Sequence, residues 1–98
     1  MSEDILLALK KVIDPELGIN VVDLGLVCRA EHVLDAIEVA LAMTSPACPL
    51  GEMIVESAKL ALEESFPDAS FIHVELIRDQ PWSPERMSED GRRQLGLN

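Results

Sequence analysis

Apolar positions along this chain change period from one stretch to the next. Ile5, Leu6, Leu9, Val12 and Ile13 recur at the three- and four-residue spacing of a helix. Ser2 can cap that helix, Glu3 and Asp4 put negative charge in its first turn, and Lys10 and Lys11 fall near its end. Pro15 disfavours helical backbone at Asp14, so the helix is predicted to stop there. Asp14 to Asp23 reads as a loop carrying the carboxylates Asp14, Glu16 and Asp23. The period then drops to two. Leu24, Leu26, Cys28 and Ala30 alternate with Gly25, Val27, Arg29 and Glu31, which predicts a strand whose first set faces the core and buries Cys28. After a turn near His32 to Asp35, a second strand points Ile37, Val39, Leu41 and Met43 inward and Glu38 outward. The two strands form a β-hairpin.

A second helix is predicted from about Leu50 to Ser65. Its apolar stripe is Leu50, Met53, Ile54, Ala58, Ala61 and Leu62, and Glu52, Glu56, Lys59 and Glu63 make the solvated face. Ile72, Val74 and Leu76, alternating with Phe71, His73 and Glu75, predict a third strand with His73 solvated. From Asp79 to Pro84 two prolines argue against regular structure. Trp82 there either folds back as an anchor or faces a partner. Ser88 can cap a short last helix, with Glu89 and Asp90 in its first turn and Gly91 weakening it. The order α-β-β-α-β plus a tail gives an α+β sandwich of two layers in one domain, residues 1–98. Helices cover one face of a small mixed three-stranded sheet, and the third strand runs parallel to the second.

Composition narrows the function. Eight basic against 18 acidic residues leave a formal charge of −10, which excludes the basic footprint that nucleic acids and anionic membranes need. Met1-Ser2-Glu3-Asp4 lacks the positive start of a signal peptide, and no apolar run has membrane length. Two cysteines, Cys28 and Cys48, are too few for a disulfide framework and read as cytosolic thiols. Cys48 carries the chemistry. It lies in Thr44-Ser45-Pro46-Ala47-Cys48-Pro49, between the second strand and the second helix. The first N–H groups of a helix favour thiolate over thiol, and thiolate is the form that binds metals or attacks electrophiles. A thiol enzyme finds little support, because neither His32 nor His73 is placed as a base for Cys48. No glycine-rich phosphate loop is present.

Four segments together resemble the SufT/PaaD-like domain family of iron–sulfur cluster assembly. They are Asp14-Pro15-Glu16-Leu17-Gly18, Val22-Asp23-Leu24-Gly25-Leu26-Val27, Met43-Thr44-Ser45-Pro46-Ala47-Cys48-Pro49, and Pro81-Trp82-Ser83-Pro84-Glu85-Arg86-Met87-Ser88. The resemblance implies a cytoplasmic cluster carrier or targeting adaptor, not an enzyme, working with iron–sulfur assembly proteins and client apoproteins. It implies a transient iron–sulfur cluster or iron at Cys48, with the acidic motifs at Asp14, Glu16 and Asp23. Thr44 and Ser45 are read as supporting residues beside Cys48, and Trp82 as the partner-binding residue if it does not fold back. No function carries over to Cys28. The chain reads as a bare domain, without the cysteine-bearing C-terminal segment of some members or the N-terminal extensions of others. A cluster generally takes four protein thiolates. One per chain falls short, so a homodimer, a small thiol, carboxylates or the client would complete the set. The alternative is a metal-free adaptor using the acidic loop and the Trp82 tail. Antiparallel pairing of the hairpin predicts that Asp23 comes nearest Cys48, with Asp35 at the far end.

Overall fold

Alternating aliphatic residues build a three-stranded sheet of β1 (Val27–Val33), β2 (Ala36–Met43) and β3 (Phe71–Pro81), in that spatial order. The computed structural model describes residues 1–43 and 51–96, with backbone alone for 78–81. β2 pairs antiparallel with β1 and parallel with β3. The parallel pair requires a crossover, which α2 (Gly51–Ser65) supplies. α1 (Glu3–Leu9) packs against α2 and β1, and α2 against β3. A short 3-10 turn at Pro84–Arg86 and α3 (Glu89–Leu95) form the tail. The predicted α+β sandwich is therefore the observed one. Ile37, Val39 and Leu41 of β2 meet Ile5 and Leu9 of α1 and Ile54, Ala58 and Leu62 of α2 in one aliphatic core. Among the described residues no helix is long and apolar enough to cross a membrane.

The structure corrects several local expectations. α1 ends at Leu9, not at Asp14, because Val12 and Ile13 leave helical geometry to pair with the following loop. Val21 N–H donates to Val12 O, and Ile13 bridges Asn20. Ser2 is the N-cap residue, yet its side chain makes no capping hydrogen bond. β1 begins at Val27, since Gly25 takes a φ of +77° and turns the chain just before it. A register irregularity between Val27 and Arg29 then breaks the alternation at Cys28. Cys28 is consequently half-exposed, not buried, while Val27 is in the core. Met53, expected in the apolar stripe of α2, is 57% exposed, so the helix turns a narrower face to the core. Asp79, Gln80 and Pro81 belong to β3 despite the proline. β3 is an edge strand, where a missing N–H is tolerated, and the ladder slips between Leu41 and Met43 so that Met43 pairs with Pro81. The outward face of β2 is also partly closed. Ala40, between Arg29 and Glu75 in the register, and Ala42 are both buried.

Candidate functional site

Three chain segments meet where β2 ends. Ala42 N–H donates to Leu26 O at 2.7 Å, and Met43 pairs with Pro81. Cys48, Thr44 and Ser45 lie outside the described residues, but the residues that flank their segment do not. A Cβ at Gly51 would stand 2.8 Å from Met43 Cε and 2.9 Å from Leu76 Cδ2. Gly51 thus packs against the Met43 side chain, and its own lack of a side chain permits that approach. The register puts Asp23, just before Leu26, at this end of the hairpin and Asp35 in the turn at the other.

Asp23 anchors a clasp between its loop and the tail. Its Oδ1 accepts from Ser88 Oγ at 2.9 Å and its Oδ2 from Asn20 Nδ2 at 2.7 Å. Asp23 N–H donates to Asn20 Oδ1 at 2.9 Å, and Ser88 N–H donates to Asp23 O at 2.8 Å. The Ser88 hydroxyl also caps α3, accepting from Gly91 N–H at 3.0 Å. Trp82 folds back onto the core and donates its indole N–H to Leu24 O at 2.6 Å. Two glycines let the backbones close. A Cβ at Gly25 would run into the Arg86 carbonyl, and one at Gly91 would lie 2.6 Å from Asp23 O. The glycine expected only to weaken α3 is therefore what allows it to dock. The motifs around Asp23 and around Trp82 form one structural unit, and Asn20, Ser88 and Arg86 are the members that sequence reasoning missed. Asn20 had a local signal in its spacing three residues before Asp23. Ser88 was read correctly as the cap of α3 but not as a partner of Asp23, and Arg86 had only its place in the tail motif.

Asp14 and Glu16 separate in role. Asp14 is 2% exposed, and its Oδ1 accepts from the N–H groups of Glu16 at 2.8 Å and Leu17 at 3.3 Å. Its backbone joins the same turn, with N–H donating to Ile19 O and the carbonyl accepting from Gly18 N–H. This is a side chain closing its own loop, as short carboxylates do. Glu16 is exposed.

Near Cys28 the Arg86 guanidinium comes within 3.6 Å of Sγ, and Sγ lies 3.7 Å from Leu26 O. The histidines serve elsewhere. His32 Nε2 is 2.9 Å from Asp4 Oδ2 and its ring meets Phe66 edge-on, while exposed His73 stacks on Phe71. The hydrogen bond from His32 is the main cause holding the Asp4 carboxyl below its ordinary value of 3.8. Arg29, hydrogen-bonded to Glu31 and near Glu38, has its guanidinium pushed upward. Among the described residues no three of His, Cys, Asp and Glu gather closely enough to hold a metal ion.

Comparison with known proteins places the chain in a family. The family described as iron-sulfur cluster assembly protein matches residues 2–76. The chain is 35% identical over 98 residues to the Fe-S protein maturation auxiliary factor YitW of Bacillus subtilis, covering 99% of this chain and 95% of that one. It is 35% identical over 88 residues to the Fe-S protein maturation auxiliary factor SufT of Staphylococcus aureus, covering 89% of this chain and 99% of that one. Among solved structures, a domain of unknown function from Bacillus anthracis superposes with a TM-score of 0.91 at 35% identity, over 98% of this chain and 92% of that one. The chain belongs to the iron–sulfur cluster assembly protein family.

Proposed function

We propose, with that membership as premise, that this protein is a non-enzymatic, cytoplasmic maturation factor that handles an iron–sulfur cluster or iron as cargo through the Cys48 thiolate. One observation carries the reading. Cys48 stands in Thr44-Ser45-Pro46-Ala47-Cys48-Pro49, three positions before Gly51, where the 15-residue helix α2 begins. The unpaired N–H groups and positive dipole end of a helix start favour thiolate, which is the ligand form. One such thiolate per chain leaves a cluster short of its usual four ligands. A second subunit, a small thiol, a carboxylate or the client supplies the remainder, and an incomplete set releases cargo more readily than it stores it. Partners are then assembly proteins upstream and client apoproteins downstream. Asp14 and Asp23 support the site through the backbone they hold, since both carboxylates are engaged by neighbouring donors. A second reading, the metal-free adaptor, draws on exposed Glu16 and the half-exposed Trp82 ring beside the clasp.

The activation of Cys48 is testable without iron. In a Cys28→Ser background, the rate of alkylation is measured against pH. The expected result is thiolate formation well below the ordinary thiol value of about 8.5. A rate profile equal to that of a free peptide thiol would remove the electrostatic basis of the proposal.

A further inference from the structure

The two edges of the sheet are treated differently. At β1, Ser2 N–H donates to Ala30 O at 2.8 Å, so the N-terminal segment closes part of that edge. At β3, the backbone from Phe71 to Leu76 pairs with β2 alone among the described residues. β3 is 11 residues long, and its proline, Pro81, comes only at its end. A long edge strand is a template for another chain, because its outward N–H and C=O groups lack partners.

Beside that edge runs a groove between β3 and the first turns of α2, lined by Glu52, Met53, Val55, Glu56 and Leu76. Its floor is apolar. Val55 and Leu76 are half-buried against the core, and Met53 is exposed above them. Its rim is acidic. Glu52 and Glu56 are four residues apart on one helix, and neither meets a cation among the described residues. Like charges at that spacing weaken a helix, so the arrangement suits an occupant that brings positive charge. A flexible thioether at the centre suits partners of varied shape.

We propose that this groove receives an extended basic segment of a partner protein, added as a fourth strand along the edge of β3. An apolar side chain of the segment covers Leu76, Val55 and Met53, and flanking Lys or Arg side chains meet Glu52 and Glu56. The proposal rests on the iron–sulfur assembly reading, in which a client or carrier must be held next to Cys48. The groove starts at Glu52, four positions beyond that cysteine. A second copy of this chain is less suited, since it brings a charge of −10 to an acidic edge.

The probes are fluorescent peptides of about ten residues, a strand's length at the upper end. One alternates Lys with Val, a second has Glu for Lys, and a third is the Lys–Val peptide with N-methyl groups on one backbone edge. The metal-free protein should bind the first. Binding of the other two should be weaker by about tenfold or more. Glu52→Lys with Glu56→Lys should also cost about tenfold, whereas Glu63→Lys with Glu64→Lys, the same charge change on the far end of α2, should stay within about twofold. Amide exchange in β3 between Phe71 and Ile77 should slow in the complex. Binding that ignores N-methylation and the choice of glutamates would overturn the proposal as diffuse charge attraction, and so would no binding at millimolar peptide. A dimer by sedimentation that protects the β3 amides without peptide would overturn it in favour of self-association. Iron is absent throughout, so failure here leaves the Cys48 reading standing on its own test.

Discussion

Asp23 has both carboxylate oxygens engaged, by Ser88 and Asn20, and its backbone carbonyl bonded to Ser88 N–H. Hydrogen bonds to a charged group contribute about 1.5–3 kcal/mol each. The effects of Asp23→Ala and Ser88→Ala on stability should therefore be strongly non-additive, with a coupling of about 1–2 kcal/mol in a denaturant double-mutant cycle. Purely additive effects would mean that the tail is held by Trp82 and packing alone. Leu34 makes the opposite case. It is 97% exposed with a φ of +56° in the hairpin turn, a conformation that costs L-residues about 1–2 kcal/mol. Leu34→Gly should raise the denaturant midpoint, with part of the gain offset by the greater backbone freedom of glycine when unfolded. Cys28→Ser should cost about 1 kcal/mol or less, because the thiol is half-exposed. A markedly larger loss on chemical denaturation would show Cys28 to be a packing residue after all.

At the scale of elements, long periodic stretches were legible and their ends were not. The alternation of Ile37, Val39, Leu41 and Met43 survives intact, since a buried face leaves one register open. The stripe of α2 survives at Ile54, Ala58, Ala61 and Leu62 but not at Met53, while Leu50 lies outside the described residues. The departures share a cause in tertiary pairing. Val12 is buried as its helical spacing implies, but in a bridge with the next loop instead of a helix. Pro81 fits a strand only because β3 lies at an edge. Of the candidate site, the residue types were legible and their partners were not. Asp23 was singled out, but its bonds to Ser88 span 65 positions, which no local pattern encodes. One tie between elements depends on pH. His32 of β1 holds Asp4 of α1 below its ordinary carboxyl value. A lowered folded value means that the contribution is present above about pH 3.8 and is lost as pH falls through the folded value. The stability difference between the protein and Asp4→Asn should thus shrink when unfolding is measured at pH values descending below 4. A difference that grows in acid would contradict the assignment.

Over the whole molecule, Met43 at the end of β2 and Gly51 at the start of α2, which flank in sequence the segment that carries Cys48, lie against each other at the hairpin end that also holds Asp23. The fold thus fixes both flanks of that segment, through Met43 against Gly51 and Leu26 against Ala42. A charge of −10 favours basic protein segments over nucleic acid and anionic surfaces as company. The proposed function depends on one thiol. The most direct measurement is anaerobic reconstitution with iron and sulfide, followed by absorption spectra and iron content, on the protein, Cys48→Ser and Cys28→Ser, with far-ultraviolet circular dichroism confirming the fold of each. The account predicts sulfide-to-iron charge-transfer bands in the first and third and their loss in Cys48→Ser, which stays folded. Equal iron and equal spectra in Cys48→Ser would contradict it, as would a folded, reduced wild-type protein that takes up no iron at all.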